Sequence, residues 1–336
     1  MSEPLLKVTG LRKHFTVRKG LARQASVVKA VDGLDFTLER GKTLGLVGES
    51  GCGKSTTGKL LMRLLEPTAG SIALDGRDVA SLRKDELQSF RRRVQMVFQN
   101  PASSLNPRMT VGSAIAAPLA AQKITPPEGV KKRVQSLMDR VGLRPEHANR
   151  FPHEFSGGQR QRIGIARALA LEPDVVICDE PVSALDVSVQ AQVVNLLKDI
   201  QDELGISYIF IAHDLAVVRH MADDVAVMYL GKIMEHGSRD QIFGDPQHPY
   251  TRSLLSAVPS VELGAGSKDR IRLQGDLPSP ANPPSGCVFR TRCPAYALLP
   301  EEKRLLCRDE IPTGSVACHH PDAPLLEIPA AATTLV

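Results

Sequence analysis

The stretch Thr43-Leu44-Gly45-Leu46-Val47-Gly48-Glu49-Ser50-Gly51-Cys52-Gly53-Lys54-Ser55-Thr56 decides the fold. Thr43 to Val47 is a short apolar run of strand length. Gly48 to Ser55 matches G-x-x-x-x-G-K-[ST]. Beyond it Leu60, Leu61, Leu64 and Leu65 recur at helical spacing until Glu66-Pro67 stops them. The glycines let the backbone curl so that successive N–H groups point at phosphate oxygens, and the helix that follows adds its positive end. In that setting Lys54 is expected to pair with the β- and γ-phosphates of a nucleotide, and Ser55 to ligate Mg²⁺.

Working outward, Val175 to Cys178 and Tyr208 to Ala212 are apolar runs that read as buried parallel strands. Between them Val189, Val193, Leu196, Leu197 and Ile200 mark an amphipathic helix. Such alternation predicts an α/β fold with a mostly parallel sheet. The first of these strands ends in Asp179-Glu180, at the end of a strand where ligands bind in α/β sheets. Asp179 is a candidate for holding Mg²⁺ through water, and Glu180 for polarising an attacking water as general base. From about 101 to 172 no strand-like run occurs, whereas Val130, Val134, Leu137, Met138 and Val141 form a helical stripe, so a helical insertion is expected there. Pro278, Pro280, Pro283 and Pro284 argue against a regular helix or central strand after Val258, which sets the expected boundary between residues 1–258 and a tail of 259–336.

Composition bounds the rest. The chain has 336 residues, 42% hydrophobic and 24% charged, with a net charge of +5, which fits a globular protein and not a disordered one. That charge is small for a dedicated nucleic-acid binder. The longest apolar candidate for a membrane span, Val111 to Ala121, is short and contains Pro118, and the N-terminus lacks the pattern of a signal peptide. Arg91-Arg92-Arg93 reads as a solvated basic face, Cys178 as a small apolar strand residue, and Arg18 to Gln24 as an exposed hairpin insertion. Four of the six cysteines, Cys287, Cys293, Cys307 and Cys318, fall in the last fifty residues. Four thiolates at intervals of five, thirteen and ten residues suit a [4Fe–4S] cluster or tetrahedral Zn²⁺, with His319 and His320 as further zinc candidates; unliganded or disulfide-linked cysteines are the remaining alternative.

With Gln99 after Val97-Phe98, Phe155-Ser156-Gly157-Gly158-Gln159, Ser183-Ala184-Leu185-Asp186 and His213, all in order around the phosphate loop, the chain resembles the nucleotide-binding subunits of ATP-binding cassette (ABC) transporters from about residue 5 to 241. Phe155 replaces the family's usual Leu and leaves the following Ser and glycines intact. The resemblance implies a P-loop ATPase fold of ABC type with a helical insertion subdomain. It implies an ATP site at Phe15, which stacks on adenine ahead of the first strands, and at Gly48, Glu49, Ser50, Gly51, Cys52, Gly53, Lys54, Ser55 and Thr56. Glu180, Gln99 and the switch residue His213 are then catalytic, Mg²⁺ is held through Ser55, Gln99 and Asp179, and Asp186 belongs to the D-loop. Ser156, Gly157, Gly158 and Gln159 open a helix and make a second anion site, which in the family faces the ATP of another subunit.

A narrower resemblance, to the ATPases of oligopeptide, dipeptide and nickel importers, rests on Asn100 to Pro107, His248-Pro249-Tyr250-Thr251, Leu254 to Pro259 and the cysteine-bearing tail. It implies ATP-driven uptake of short peptides, with nickel, glutathione or another small solute as alternatives. It also favours the [4Fe–4S] cluster for the tail, while the segregation of the cysteines beyond the nucleotide motifs suggests a staple separate from ATP chemistry. The partners implied are a second ATPase subunit, identical or paralogous, two membrane permease subunits and an extracytoplasmic solute-binding protein. The location is the cytoplasmic face of the cell (inner) membrane. A rival of another class is a non-transport ABC ATPase acting on DNA or ribosomes, against which stand the single cassette and the modest charge; no nucleic-acid partner is expected.

Overall fold

The computed structural model describes residues 3–18, 25–100, 104–258 and 271–325. Most of the basic stretch up to Gln24 and part of the Asn100 to Pro107 loop lie outside these residues, as does the expected start of the tail.

Among the described residues the strands form two sheets. β3 (Thr43–Val47), β6 (Val94–Val97), β7 (Val175–Asp179), β8 (Ser207–Ala212), β9 (Asp224–Tyr229) and β10 (Lys232–Ser238) make a sheet of order β10-β9-β3-β8-β7-β6. Its strands run parallel except β10, which is antiparallel to β9. The near-continuous apolar character of the central strands follows from cover on both faces. Tyr208, Phe210, Val176, Cys178, Val225 and Val227 pack into one core, while Ile209, Ile211, Val175, Ile177, Ala226 and Met228 pack into another. Alternation of period two thus feeds two separate cores from the same strands.

The second sheet was not legible as such in the sequence. β1 (Leu6–Arg18), β2 (Ala25–Leu38), β4 (Ala69–Leu74) and β5 (Arg77–Asp78) pair antiparallel in the order β2-β1-β4-β5. It supplies Leu6, Val8, Leu11, Leu34, Phe36 and Ile72 to one of the two cores. Between β6 and β7, which are neighbours in the sheet, the described residues form helices only, including Val111–Ala121, Val130–Arg140 and Gly157–Leu169. Pro118 is accommodated inside the first of these. No helix among the described residues is long and apolar enough to cross a membrane.

Three local expectations are corrected. The helix after the phosphate loop is Lys54–Leu61 and ends before Leu64, because Arg63 turns to a φ of 53° and the N–H groups of Leu64 and Leu65 fold back to the Lys59 carbonyl. Phe15 lies within β1, opposite Val28, and not ahead of the strands. Arg93 is not simply solvated: its guanidinium is shared between Asp75 and Asp174, so only Arg91 and Arg92 of that run are exposed.

The C-terminal residues return to the ATPase core. Val316 bridges Glu235, Ala317 N–H donates to the Met234 carbonyl at 2.8 Å, and Lys29 N–H donates to the Pro280 carbonyl at 3.1 Å. Val288 and Phe289 are buried in the larger core.

Candidate active site

The phosphate loop joins β3 to the helix Lys54–Leu61, so a buried strand fixes one end and a helix start the other. Gly53 sits at the helix N-cap with φ 110°, and a Cβ there would fall 2.2 Å from the Ala30 carbonyl oxygen. Only glycine fits that turn. Lys54 is buried, and its ammonium donates to the carbonyls of Gly48 at 2.7 Å and Glu49 at 3.0 Å. Cys52 is buried beside it, its Sγ 3.7 Å from Lys54 Nζ, and burial raises the thiol's pKa. Cys178, in the core of β7, is likewise raised by burial, in keeping with an inert strand residue.

Two separate constellations stand at the ends of the parallel strands. In the first, Ser55 Oγ donates to Asp179 Oδ1 at 2.9 Å, across 124 residues of chain. Asp179 is buried, which raises its pKa; the Ser55 hydrogen bond opposes this and the neighbouring Glu180 adds to it. A hydroxyl and a buried carboxylate converging in this way are hard oxygen donors of the kind Mg²⁺ takes. In the second, Gln99 Nε2 donates to Glu180 Oε2 at 2.7 Å, and His213 Nδ1 lies 3.5 Å from the same oxygen. Three side chains from three strand ends therefore meet at one carboxylate. Glu180 itself holds a left-handed φ of 47°, anchored by its N–H to the Ile211 carbonyl at 2.9 Å and by Ser183 Oγ donating to its own carbonyl at 3.1 Å. For a residue with a Cβ that conformation costs about 1–2 kcal/mol, the kind of strain that persists where surrounding contacts impose it. Gln99 hydrogen-bonds to Glu180, and Ser55 to Asp179.

Ser156 caps the helix Gly157–Leu169, accepting from Gln159 N–H at 3.3 Å while Gln159 Oε1 accepts from Ser156 N–H at 3.0 Å. Ser156 and Gly157 are exposed, whereas Phe155 is buried in the insertion's core and meets His147 edge-on at 6.1 Å. Gly158 faces the helix Val187–Leu204, where a Cβ would come within 2.5 Å of Val189 Cγ1. Asp186 stands exposed at the N-cap of that second helix. Lys13 Nζ lies 5.2 Å from the centre of the Phe15 ring.

In the C-terminal region Cys287, Cys293, Cys307 and Cys318 line one cavity, with His248, Phe289, His319 and His320. None is in a disulfide. Burial pushes the Cys287 thiol up to about 12 and the Cys293 thiol up to about 11, with neighbouring cysteines adding to both. The Nε2 atoms of His319 and His320 are engaged by the carbonyls of Glu310 at 2.9 Å and Lys303 at 3.0 Å. Among the described residues no set of three or more His, Cys, Asp or Glu is grouped so as to hold a metal ion.

Two functional contacts had no signal in the sequence. Arg292 reaches Glu49 of the phosphate loop at 2.7 Å, and Tyr250 Oη accepts the Glu49 N–H at 2.9 Å. The tail is therefore not separate from the nucleotide site.

Comparison with known proteins agrees with this geometry. Residues 31–183 match the ABC transporter family, and residues 234–297 match the oligopeptide/dipeptide transporter C-terminal region. The chain is 51% identical to the oligopeptide transport ATP-binding protein AppF of Bacillus subtilis, covering 94% of this chain and 97% of that protein. It is 54% identical to the dipeptide transport ATP-binding protein DppF of Escherichia coli, covering 87% of each. Among solved structures, the ATP-binding cassette MJ0796, a dimer bound to ADP and Pi in a post-hydrolysis state, superposes with a TM-score of 0.61 at 28% identity, covering 70% of this chain and 98% of that one. With the phosphate loop, the Ser55–Asp179 pair and the Glu180 cluster assembled on such a sheet, the chain belongs to the ABC transporter family, among the ATPases that carry the oligopeptide/dipeptide transporter C-terminal region.

Proposed function

We propose that this protein is the ATP-hydrolysing subunit of an importer of di- and oligopeptides, working through separate membrane permease subunits. The observation that carries the ATPase reading is the meeting of Gln99, Glu180 and His213 at one carboxylate oxygen beside the phosphate loop. Identity above half, over nearly the whole length of relatives named for peptide transport, supports the cargo.

In this reading the loop from Gly48 to Thr56 and the start of its helix bind the phosphates, and Phe15 stacks on the adenine. Lys54, now held by loop carbonyls, exchanges them for phosphate oxygens. Ser55, Asp179 and Gln99 would hold Mg²⁺, which when bound would neutralise charge on the transferred phosphoryl group. Glu180 accepts the proton of the attacking water, with Gln99 and His213 orienting its carboxylate. Ser156, Gly157, Gly158 and Gln159 offer a capped, exposed helix start to the nucleotide of a second ATPase subunit, identical or paralogous, and Asp186 lies on the same interface. An extracytoplasmic solute-binding protein delivers the peptide, and the subunit sits on the cytoplasmic face of the inner membrane.

Residues 1–258 form the ATPase and 259–336 the importer-type tail, and the insertion spans about 101–172. The convergence of four free cysteines on one cavity supports a [4Fe–4S] cluster there, with Zn²⁺ as the alternative. Purification with the permease subunits tests the function: ATPase activity should rise with peptide-loaded binding protein and vanish in Lys54→Ala. Peptide-independent activity in the assembled complex would overturn the cargo reading.

A further inference from the structure

Glu49 is an acidic residue within a loop that takes up anionic phosphates. In this fold it is neutralised from far along the chain. Arg292 Nη1 lies 2.7 Å from Glu49 Oε2 and 3.4 Å from Tyr229 Oη, and its guanidinium stands 6.0 Å from the centre of the Tyr229 ring. The side chains are 11% and 27% exposed, so the pair is screened less than a surface ion pair and its charges are costly to leave unpaired. The main chain of Glu49 is tied from the same side, through its N–H to Tyr250 Oη.

Both anchors stand on one aromatic cluster. Tyr229 at the end of β9, Tyr250 in the helix Pro249–Ser256 and Phe289 of the C-terminal region are all fully buried. Their ring centres are 4.8 Å (Tyr229–Tyr250), 5.3 Å (Tyr229–Phe289) and 5.1 Å (Tyr250–Phe289) apart. Phe289 and Arg292 lie between Cys287 and Cys293 in sequence, so the segment that lines the cysteine cavity also presents the guanidinium to the loop.

We propose that Arg292 is a positioning residue for the ATP site: it neutralises and anchors Glu49, so that nucleotide affinity depends on how the C-terminal region is seated. This rests on the reading of the loop as the ATP site. Loss of the guanidinium leaves a partly buried carboxylate in the loop, repelling the incoming phosphates. The reacting groups Gln99, Glu180 and His213 are untouched, so the effect falls on affinity and not on turnover.

The test is a double-mutant cycle in the full-length protein, with equilibrium titration of MgATP and separate measurement of KM and kcat. Arg292→Gln should weaken MgATP binding and raise KM about five- to tenfold, with kcat changed by less than about twofold. Arg292→Lys should stay near wild type. Adding Glu49→Gln to Arg292→Gln should bind MgATP at least about threefold more tightly than Arg292→Gln alone, because no unpaired carboxylate remains. Arg292→Met, whose stem still packs on Tyr229, carries the same cycle if the Gln variant folds poorly. Unchanged affinity in the single variant, or a double variant as weak as the single, overturns the proposal. Absence of MgATP binding by the wild-type protein would instead overturn the reading of the loop itself.

Discussion

Gln99 and Glu180 are 81 residues apart in the chain, yet Gln99 Nε2 donates to Glu180 Oε2 at 2.7 Å. Because β6 and β7 are neighbouring parallel strands, the residues that follow their carboxyl ends emerge side by side. The excursion between those strands is the helical insertion that carries the Ser156 helix start.

If Glu180 is the general base, Glu180→Gln keeps MgATP binding and lowers hydrolysis by about 10²-fold or more. Equilibrium binding and single-turnover hydrolysis on the same preparation check this. Loss of binding as severe as in Lys54→Ala would show that Glu180 holds the nucleotide site together instead.

The Ser55–Asp179 pair makes a distinct prediction. Asp179→Asn should keep affinity for nucleotide without metal while losing most of the gain that Mg²⁺ provides. Titration of ATP with and without Mg²⁺ separates the two; an equal loss in both conditions would assign Asp179 to the fold of the loop.

Gly158→Ala gains about 1 kcal/mol of helix propensity but forces a Cβ to within 2.5 Å of Val189 Cγ1. Overpacking of that kind costs about 1–3 kcal/mol, so net destabilisation is expected. Val189→Ala in the same chain should relieve it, which denaturant midpoints would report. A fully stable single variant would mean that the two helices separate freely.

His248 is fully buried, and burial holds its pKa down to about 3 from 6.5. Its Nδ1 accepts the Tyr250 N–H at 3.0 Å, so the folded state keeps the ring neutral. The unfolded chain binds the proton first. The contribution to stability is therefore full above pH 6.5 and is lost as the pH falls through the range from 6.5 toward 3, at up to about 1.4 kcal/mol per pH unit. Urea denaturation between pH 7.5 and 5 should show this slope, and it should be shallower in His248→Asn.

For the cysteine cavity, anaerobically purified protein should be brown, with iron and sulfide near about four per chain, and Cys293→Ser should lose both. Stoichiometric zinc without iron would replace the cluster by a zinc staple. Because Arg292 adjoins Cys293, the same variant should also weaken MgATP binding, a consequence that a tail independent of the loop would not have.

The nucleotide motifs were legible in the linear sequence because each is a local solution to a local problem. A turn that must approach phosphate needs glycines at fixed offsets, as at Gly53, and an acid must follow a buried strand, as Asp179 follows Val175 to Cys178. The runs of β7 and β8 read as parallel strands because they are apolar on both faces. The antiparallel sheet was not legible: β1 and β2 carry register shifts, at Gly10 among other places, and mix exposed with buried residues, so their alternation is broken. Nor did the early end of the Lys54 helix announce itself, since Leu64 and Leu65 keep the apolar spacing after the backbone has turned at Arg63.

Tertiary structure alone decided which charges meet. Motif and strand pattern identified Ser55, Asp179 and Glu180 as candidates, and the family resemblance Gln99 and His213, but strand order settled that Ser55 contacts Asp179 and that Gln99 and His213 share Glu180. Arg292 shows the limit most clearly. It lies 243 residues from Glu49 in a proline-rich region without periodicity, and an ion pair requires only that two side chains end within reach, whatever the sequence between them. Local backbone demands leave a signature in neighbouring residues, whereas a contact between distant side chains leaves none until the chain between them has folded.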